Sequence, residues 1–236
     1  MDRNKMINKI NDTAIYDFIV IGGGATGIGI ALDASSRGYS VILLEMSDFT
    51  KSTSSKSTKL VHGGVRYLAQ GDVALVREAV VERGLLTQNA PHLVKDQSFI
   101  IPTQSFFDEL QYTVGLTFYD LLAGKLSLGR SKRISKAKTI KRISTINPKK
   151  ITAGVVYHDG QFDDTRLAIN ALQSATERGA IVINYCKVTG LIKDGSGNVS
   201  GVKFFDEEEK KSYEIKGKQV VNATGVFADD VLKMDS

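Results

Sequence analysis

The chain has no tryptophan, one cysteine and three prolines among its 236 residues. The missing tryptophan decides nothing. The single cysteine, Cys186, excludes an intrachain disulfide framework and any metal cluster built on cysteine, and no metal site is expected. A lone thiol also fits a reducing compartment. Against three prolines stand 22 glycines, which point to many tight turns rather than stiff linkers, as alternating strands and helices require. No apolar run reaches the roughly 20 residues that span a bilayer. The start before Tyr16 carries charge but no apolar signal-peptide core. The expectation is a cytoplasmic protein, at most peripheral at the cytoplasmic face of the inner membrane.

Acidic residues are missing from Lys125 to Lys150, where Arg130, Lys132, Arg133, Lys136, Lys138, Lys141 and Arg142 accumulate. The net charge of +5 is therefore modest but unevenly spread. Such a block reads as a solvated helix-loop face, as an attraction to anionic lipid, or as steering of an anionic substrate. No aromatic residues interleave with it, so it offers no stacking platform and no nucleic-acid partner is expected.

What is present is ordinary for a globular protein: 42% hydrophobic and 24% charged residues, enough to bury a sizeable core. Residues 1–15 are polar and unpatterned and read as a flexible N-terminal arm, with one domain over 16–236. Tyr16–Ile21 is a continuous apolar run ending at glycines, as in a strand buried on both faces of a parallel sheet. Ala25 to Arg37 has helical periodicity, Gly38 stops it, and Ser40–Leu44 is a second buried strand closed by Glu45. The first unit is thus β-α-β, and the fold class is α/β.

Residues 47–64 read as loop. Val73, Val76 and Val80 share one face of a helix that ends by Pro91. Ser98–Ile101 is a short strand, Leu110 to Leu122 a mostly buried helix, and Gly154–Tyr157 another strand. Asp163 or Asp164 caps a helix running to about Arg178, with Gly179 ending it. Short strands follow at 181–184, 188–192, 199–205 and 213–215, and Lys218–Asn222 leads into Ala223-Thr224-Gly225. The sequence stops soon after a new helix opens at Ala228, which suggests a fold incomplete at the C-terminus and a piece of a longer protein.

The sharpest signal is the run Gly22-Gly23-Gly24-Ala25-Thr26-Gly27. Gly22 permits a tight turn, Gly24 lets a pyrophosphate approach the backbone, and Gly27 lets helix and strand pack closely. Phosphates would sit at the helix N-terminus, where unpaired N–H groups and the helix dipole favour negative charge. Glu45 ends the next strand about 20 residues on, where a carboxylate takes ribose hydroxyls and repels the extra phosphate of NADP. The motif by itself does not separate NAD from FAD. The segment from Ser52 to Tyr67 is rich in hydroxyls, with lysines and two adjacent glycines, a polar cradle for a diphosphate and a close pass under a flat ring.

Five stretches together resemble the N-terminal half of FAD-dependent glycerol-3-phosphate dehydrogenases, a branch of the D-amino-acid-oxidase-like flavoproteins. They are IVIGGGATGIGIALDASSRG, TSSKSTKLVHGGVRYL, APHL, DGQFDDTRLAINAL and VVNATG, and they run from about Asp17 to Asp230. The second and fourth are far more specific than the glycine motif.

The resemblance implies a Rossmann-like FAD-binding domain. In it Gly22, Gly24, Ala25, Thr26, Gly27 and Glu45 hold the ADP part of FAD. Ser54, Ser55, Ser57, Thr58, Lys59 and Leu60 line the pyrophosphate and approach the flavin. Val188 meets the adenine through its backbone, and Ala223, Thr224 and Gly225 close on the dinucleotide. His62, Arg66 and Tyr67 fall where the family presents side chains toward flavin and substrate. The implied reaction is hydride transfer from C2 of sn-glycerol 3-phosphate to flavin N5, giving dihydroxyacetone phosphate, with a quinone or oxygen as electron acceptor. Arg66 suits the phosphate because its planar fork binds bidentately, and His62 suits acceptance of the alcohol proton because imidazole titrates near neutral pH. Peripheral membrane contact and a homodimer are compatible with it.

This chain departs from the family in having Val226-Phe227 after the second glycine turn, where Pro-Trp is usual. The family's substrate domain is expected beyond this sequence, so the chain alone is expected to be inactive. Competing readings are another FAD-dependent amine or hydroxyacid oxidase of the same superfamily, and a catalytically inactive nucleotide-binding fragment. NAD dehydrogenase comes last, since nothing after Glu45 resembles a nicotinamide site. Asp163 and Asp164 look like helix caps, and Cys186 like an inert core thiol.

Overall fold

The computed structural model describes residues 1–235, with the side chains of Arg66 and Ala69 outside the described residues. In chain order the elements are α1 (Arg3–Asn8), β1 (Tyr16–Ile21), α2 (Ala25–Ser36), β2 (Val41–Leu44), β3 (Leu60–Val61), α3 (Val65–Ala69), α4 (Val73–Asn89) and β4 (Val94–Thr103). They continue with α5 (Phe106–Ala123), β5 (Lys132–Ser135), α6 (Lys136–Arg142), β6 (Ala153–Phe162), α7 (Asp164–Glu177), β7 (Ile181–Ile183), β8 (Cys186–Lys193), β9 (Val199–Asp206), β10 (Lys211–Asn222) and α8 (Ala228–Leu232). Where the sequence suggests one domain from residue 16, the chain forms two compact units, Met1–Ser57 with Asp164–Ser236, and Thr58–Asp163.

The first unit is built on a sheet of order β7-β2-β1-β10-β9-β8. β7, β2, β1 and the end of β10 run parallel, whereas β9 and β8 are antiparallel. Every residue of Val41–Leu44 is buried, as a parallel strand covered on both faces requires. α2 and α7 pack together, and their inward residues Ile28, Ala31, Leu172 and Ala175 join the strands in one apolar core. The parallel α/β order expected from the sequence is therefore present.

Two expectations are corrected in this unit. Tyr213–Ile215 and Lys218–Asn222 are one continuous strand, because alternation carries through the polar stretch: Ile215 and Gly217 face inward, Glu214 and Lys216 outward. Its first half pairs antiparallel with β9 and its second half parallel with β1. The N-terminal residues are folded rather than an unpatterned arm. Met6, Ile7 and Ile10 are buried in the core, an apolar face diluted in sequence by the lysines and asparagines around it. Arg3 anchors the segment, donating to Asp206 Oδ1 at 2.8 Å and to the Asn184 carbonyl at 3.0 Å.

The second unit is a smaller sheet centred on β6, with β4 along one edge and β5 and β3 sharing the other. Val76 and Val80 of α4 pack on Tyr119 and Ala123 of α5. The helix expected at 110–122 starts earlier, where Ser105 and Asp108 form a reciprocal capping box, and it is not mostly buried. Leu116, Tyr119 and Ala123 are covered, but Phe106 and Phe107 are 68% and 80% exposed, with Leu110, Val114, Phe118 and Leu121 exposed beside them. Apolar residues occupy more than one face of this helix, and only the face of Leu116, Tyr119 and Ala123 is buried. The basic stretch forms β5 and α6, with its Lys and Arg side chains turned outward.

Candidate functional site

The glycine turn between β1 and α2 opens on a cavity of about 840 Å³ in the first unit, within the few hundred to about 1,000 Å³ typical of ligand sites. Its floor is the turn itself. Gly22 has φ +110°, and an added Cβ would lie 2.6 Å from the Ala223 carbonyl oxygen, so the two glycine-bearing turns meet here. A Cβ on Gly27 would overlap the Gly22 carbonyl oxygen; that close approach of helix to strand is what the third glycine permits. Gly24 caps α2 without a side chain, leaving the first-turn amides to be met from outside the helix.

Charge and polarity are arranged around that turn. Glu45 Oε2 accepts from the Gly23 amide at 2.6 Å and Oε1 from the Ser47 amide at 2.8 Å, which fixes the carboxylate at the cavity wall. Each of its oxygens has further capacity to accept a hydroxyl. Ser54 Oγ accepts from the Ala25 amide at 2.8 Å, bringing the hydroxyl-rich loop onto the helix start. Cys186 also reaches the wall, but burial and then the charge of Asp206 push its thiol up to about 12. That thiol is no nucleophile at neutral pH.

Of the residues singled out by sequence, Gly22, Gly24, Ala25, Thr26, Glu45, Ser54, Val188, Ala223, Thr224 and Gly225 line this cavity. Gly27 supports it from behind. Ser55 lies instead on a smaller hollow with Thr165 and Tyr185, and Ser57 Oγ donates to Asp164 Oδ2 at 2.6 Å at the start of α7. Lys56, inside the polar segment from Ser52 to Tyr67, is on the wall, and so are Thr50 and Lys51, which sequence reasoning missed. Thr50 is buried at φ +62°, its amide bonded to the Gly23 carbonyl at 3.0 Å. The signal for Thr50 and Lys51 is the same polar loop composition, which begins before Ser52. Val226 and Phe227, the departure from the usual Pro-Trp, also line the cavity.

Thr58, Lys59, Leu60, His62, Arg66 and Tyr67 belong to the second unit. Leu60 is in β3, paired with Gln161 of β6, and the Lys59 carbonyl accepts from the Phe162 amide at 3.0 Å. His62 is exposed, and its Nδ1 accepts from the Gly64 amide at 3.1 Å. Tyr67 is 45% exposed on α3; the Arg66 side chain lies outside the described residues. Of the adjacent glycines, Gly63 has no room for a side chain, since an added Cβ would overlap Val80 and Tyr119. His158 bonds Asp96 through Nδ1 at 2.9 Å.

Residues 17–236 match the family described as FAD dependent oxidoreductase. The chain belongs to that family. It is 41% identical over 241 residues to the mitochondrial glycerol-3-phosphate dehydrogenase of Schizosaccharomyces pombe, covering 99% of this chain and 37% of that protein. It is 42% identical to the aerobic glycerol-3-phosphate dehydrogenase of Staphylococcus aureus, over 93% of this chain and 40% of that protein. Among solved structures, the glycerol-3-phosphate dehydrogenase of Bacillus halodurans complexed with FAD superposes with a TM-score of 0.76 at 31% identity, over 99% of this chain and 38% of that chain. An L-proline dehydrogenase from P. horikoshii, 20% identical with a TM-score of 0.71 over 94% of this chain and 56% of that chain, shares the fold alone. The chain thus spans between 37% and 40% of the length of these curated relatives.

The cavity fits the family's cofactor on its own observations: a glycine floor too close for side chains, a helix start whose N-cap Gly24 supplies no side chain, an anchored carboxylate and the lysines Lys51 and Lys56 on the wall. Among the described residues no helix is long and apolar enough to cross a membrane.

Proposed function

We propose that this chain is the FAD-binding part of a glycerol-3-phosphate dehydrogenase, which oxidises sn-glycerol 3-phosphate to dihydroxyacetone phosphate and passes the electrons to a quinone. The supporting observation is the 42% identity to the Staphylococcus aureus enzyme over nearly the whole chain, joined to a cavity whose wall carries the dinucleotide residues. The activity is proposed for a polypeptide of the relatives' length. FAD, when bound, supplies the two-electron acceptor.

The chain's own residues do the holding. The Gly22–Gly27 turn and the α2 start take the diphosphate, assisted by Ser54 and by the charges of Lys51 and Lys56. Glu45 takes the ribose hydroxyls and the Val188 backbone the adenine, with Ala223, Thr224 and Gly225 closing the opposite side. Ser55, Ser57, Thr58, Lys59 and Leu60 lead toward the flavin end. Arg66 binds the substrate phosphate, Tyr67 packs beside it, and His62 takes the hydroxyl proton. To accept that proton at Nε2, a neutral His62 must carry its own on Nδ1, and so must release the Gly64 amide.

Peripheral contact with a membrane at its cytoplasmic face is part of the same reading. It is supported by the exposed apolar residues of α5 and the basic β5–α6 segment, which belong to one unit. The deciding experiment is an absorbance spectrum of the flavin-loaded, relative-length protein before and after sn-glycerol 3-phosphate. Bleaching of the flavin by this substrate is expected. Flavin reduced only by amino acids would move the assignment to an amine oxidase, and absence of flavin would leave an inactive nucleotide-binding module.

A further inference from the structure

A buried polar group in the second unit has no part in the site described so far. Arg83 of α4, Tyr119 of α5 and Asp159 of β6 are 2%, 1% and 3% exposed. Arg83 Nη1 donates to Asp159 Oδ1 at 2.6 Å and to Tyr119 Oη at 3.1 Å, and the Tyr119 hydroxyl donates to Asp159 Oδ1 at 2.7 Å. Burial, and then the negative charge of Asp159, hold the phenol well above its usual range, so it stays a donor.

The node closes on one backbone group. The Gly63 amide donates to Tyr119 Oη at 2.8 Å and reaches Asp159 Oδ1 at 3.3 Å. Any side chain at Gly63 would overlap Val80 and Tyr119, so the backbone itself is docked on the node. The next amide, that of Gly64, donates to His62 Nδ1 at 3.1 Å. A neutral imidazole that accepts at Nδ1 carries its proton on Nε2.

Stability alone does not account for this node. Among the described residues Arg83 Nε is buried without a hydrogen-bond partner, and a buried ion pair of this kind is commonly matched or bettered by apolar residues of similar volume. What the charges do, and apolar residues cannot, is fix the direction of the Gly63 amide.

We propose that Arg83, Tyr119 and Asp159 are positioning residues that set the His62-Gly63-Gly64 turn, and through it the tautomer of the His62 ring. The proposal deepens the reading above, and rests on it for His62 meeting substrate. Held in this way, His62 presents an Nε2–H donor. Becoming the acceptor of the substrate's hydroxyl proton requires the turn to release the Gly64 amide, so the rigidity imposed at Gly63 governs that exchange.

The test uses the full chain labelled with ¹⁵N, reading the His62 ring nitrogens and hydrogen exchange at the Gly63 amide. Near neutral pH the unaltered chain is expected to show an Nε2–H ring; a dominant Nδ1–H ring overturns the proposal whatever the variants do. Tyr119→Phe removes one hydroxyl and is expected to speed Gly63 exchange at least tenfold and to give a mixture of His62 tautomers. Val76→Ala opens a cavity in the same apolar cluster, whereas the atoms nearest a Cβ at Gly63 are those of Val80 and Tyr119, and it is expected to leave the His62 spectrum unchanged. An unaltered His62 spectrum in Tyr119→Phe, or an equal change in Val76→Ala, overturns the proposal. Neither readout needs flavin or substrate, so failure here is distinct from failure of the substrate assignment, which flavin bleaching tests separately.

Discussion

Ser54 and Ala25 are joined across 29 positions of sequence by one hydrogen bond, the Ser54 hydroxyl accepting the Ala25 amide at 2.8 Å. The bond places a loop hydroxyl at the start of α2, inside the cavity wall. Ser54→Ala removes that anchor and a polar group facing the proposed diphosphate. A single hydrogen bond of this kind contributes about 1 kcal/mol, so FAD binding is expected to weaken roughly fivefold. Quenching of flavin fluorescence on titration with the chain measures it. Unchanged affinity would place the diphosphate elsewhere.

Two glycines on the same helix separate close packing from helix propensity. A Cβ at Gly27 overlaps the Gly22 carbonyl oxygen, whereas one at Gly29 meets nothing within 4 Å among the described residues. Gly27→Ala is expected to cost about 1–3 kcal/mol by overpacking and to abolish flavin binding by displacing the turn. Gly29→Ala is expected to raise stability by up to ~1 kcal/mol, since alanine favours the helix interior. Thermal unfolding and flavin titration of the two variants check both halves. Equal effects would mean that the turn tolerates the shift.

How much of this was legible depends on where the determining contacts lie. Tyr16–Ile21, the glycine turn and Glu45 are determined by neighbours along the chain, and α2 follows from local periodicity. The positions of Ala223 and Val188 against that turn were readable only through family resemblance, because the sheet order that joins β10 to β1 is set by contacts remote in sequence. Burial of α5 is not legible in its sequence, since composition says that a helix is apolar, not that a partner covers it. Met6, Ile7 and Ile10 are hidden for the opposite reason: three apolar residues among polar ones show no pattern until the core they join is present. The Arg83–Asp159 pair joins residues 76 positions apart and left no local signal.

Acid sensitivity should trace in part to Asp17. Its carboxylate is held at about 2, against an ordinary 3.8, first by the Lys218 side chain and then by the Ser40 amide and hydroxyl. A depressed folded-state value means that its contribution is fully present above about pH 4, the ordinary carboxylate range, and is lost as pH falls through the folded value. Asp17→Asn is therefore expected to lower the melting temperature at neutral pH, with the difference from the unaltered chain shrinking below pH 4 and gone only below pH 2. A difference independent of pH would mean that Asp17 acts by shape alone.

The exposed face of α5 carries the last prediction. Phe107 and Phe118 stand exposed on α5, and Lys136, Lys138, Lys141 and Arg142 of the same unit are exposed on α6. An apolar face with basic residues in the same unit favours the interface of an anionic bilayer, where buried apolar area and charge attraction add. The chain is expected to co-sediment with vesicles containing phosphatidylglycerol far more than with purely zwitterionic ones, and less as salt rises. Phe107→Ser with Phe118→Ser should reduce binding to anionic vesicles even at low salt, whereas Lys136→Ala with Lys138→Ala should reduce it mainly through the charge-dependent part. Binding lost only in the lysine variant would mark simple electrostatic adsorption. Binding that ignores lipid charge and all four substitutions would remove the membrane from the proposed function and leave the α5 face to a protein partner.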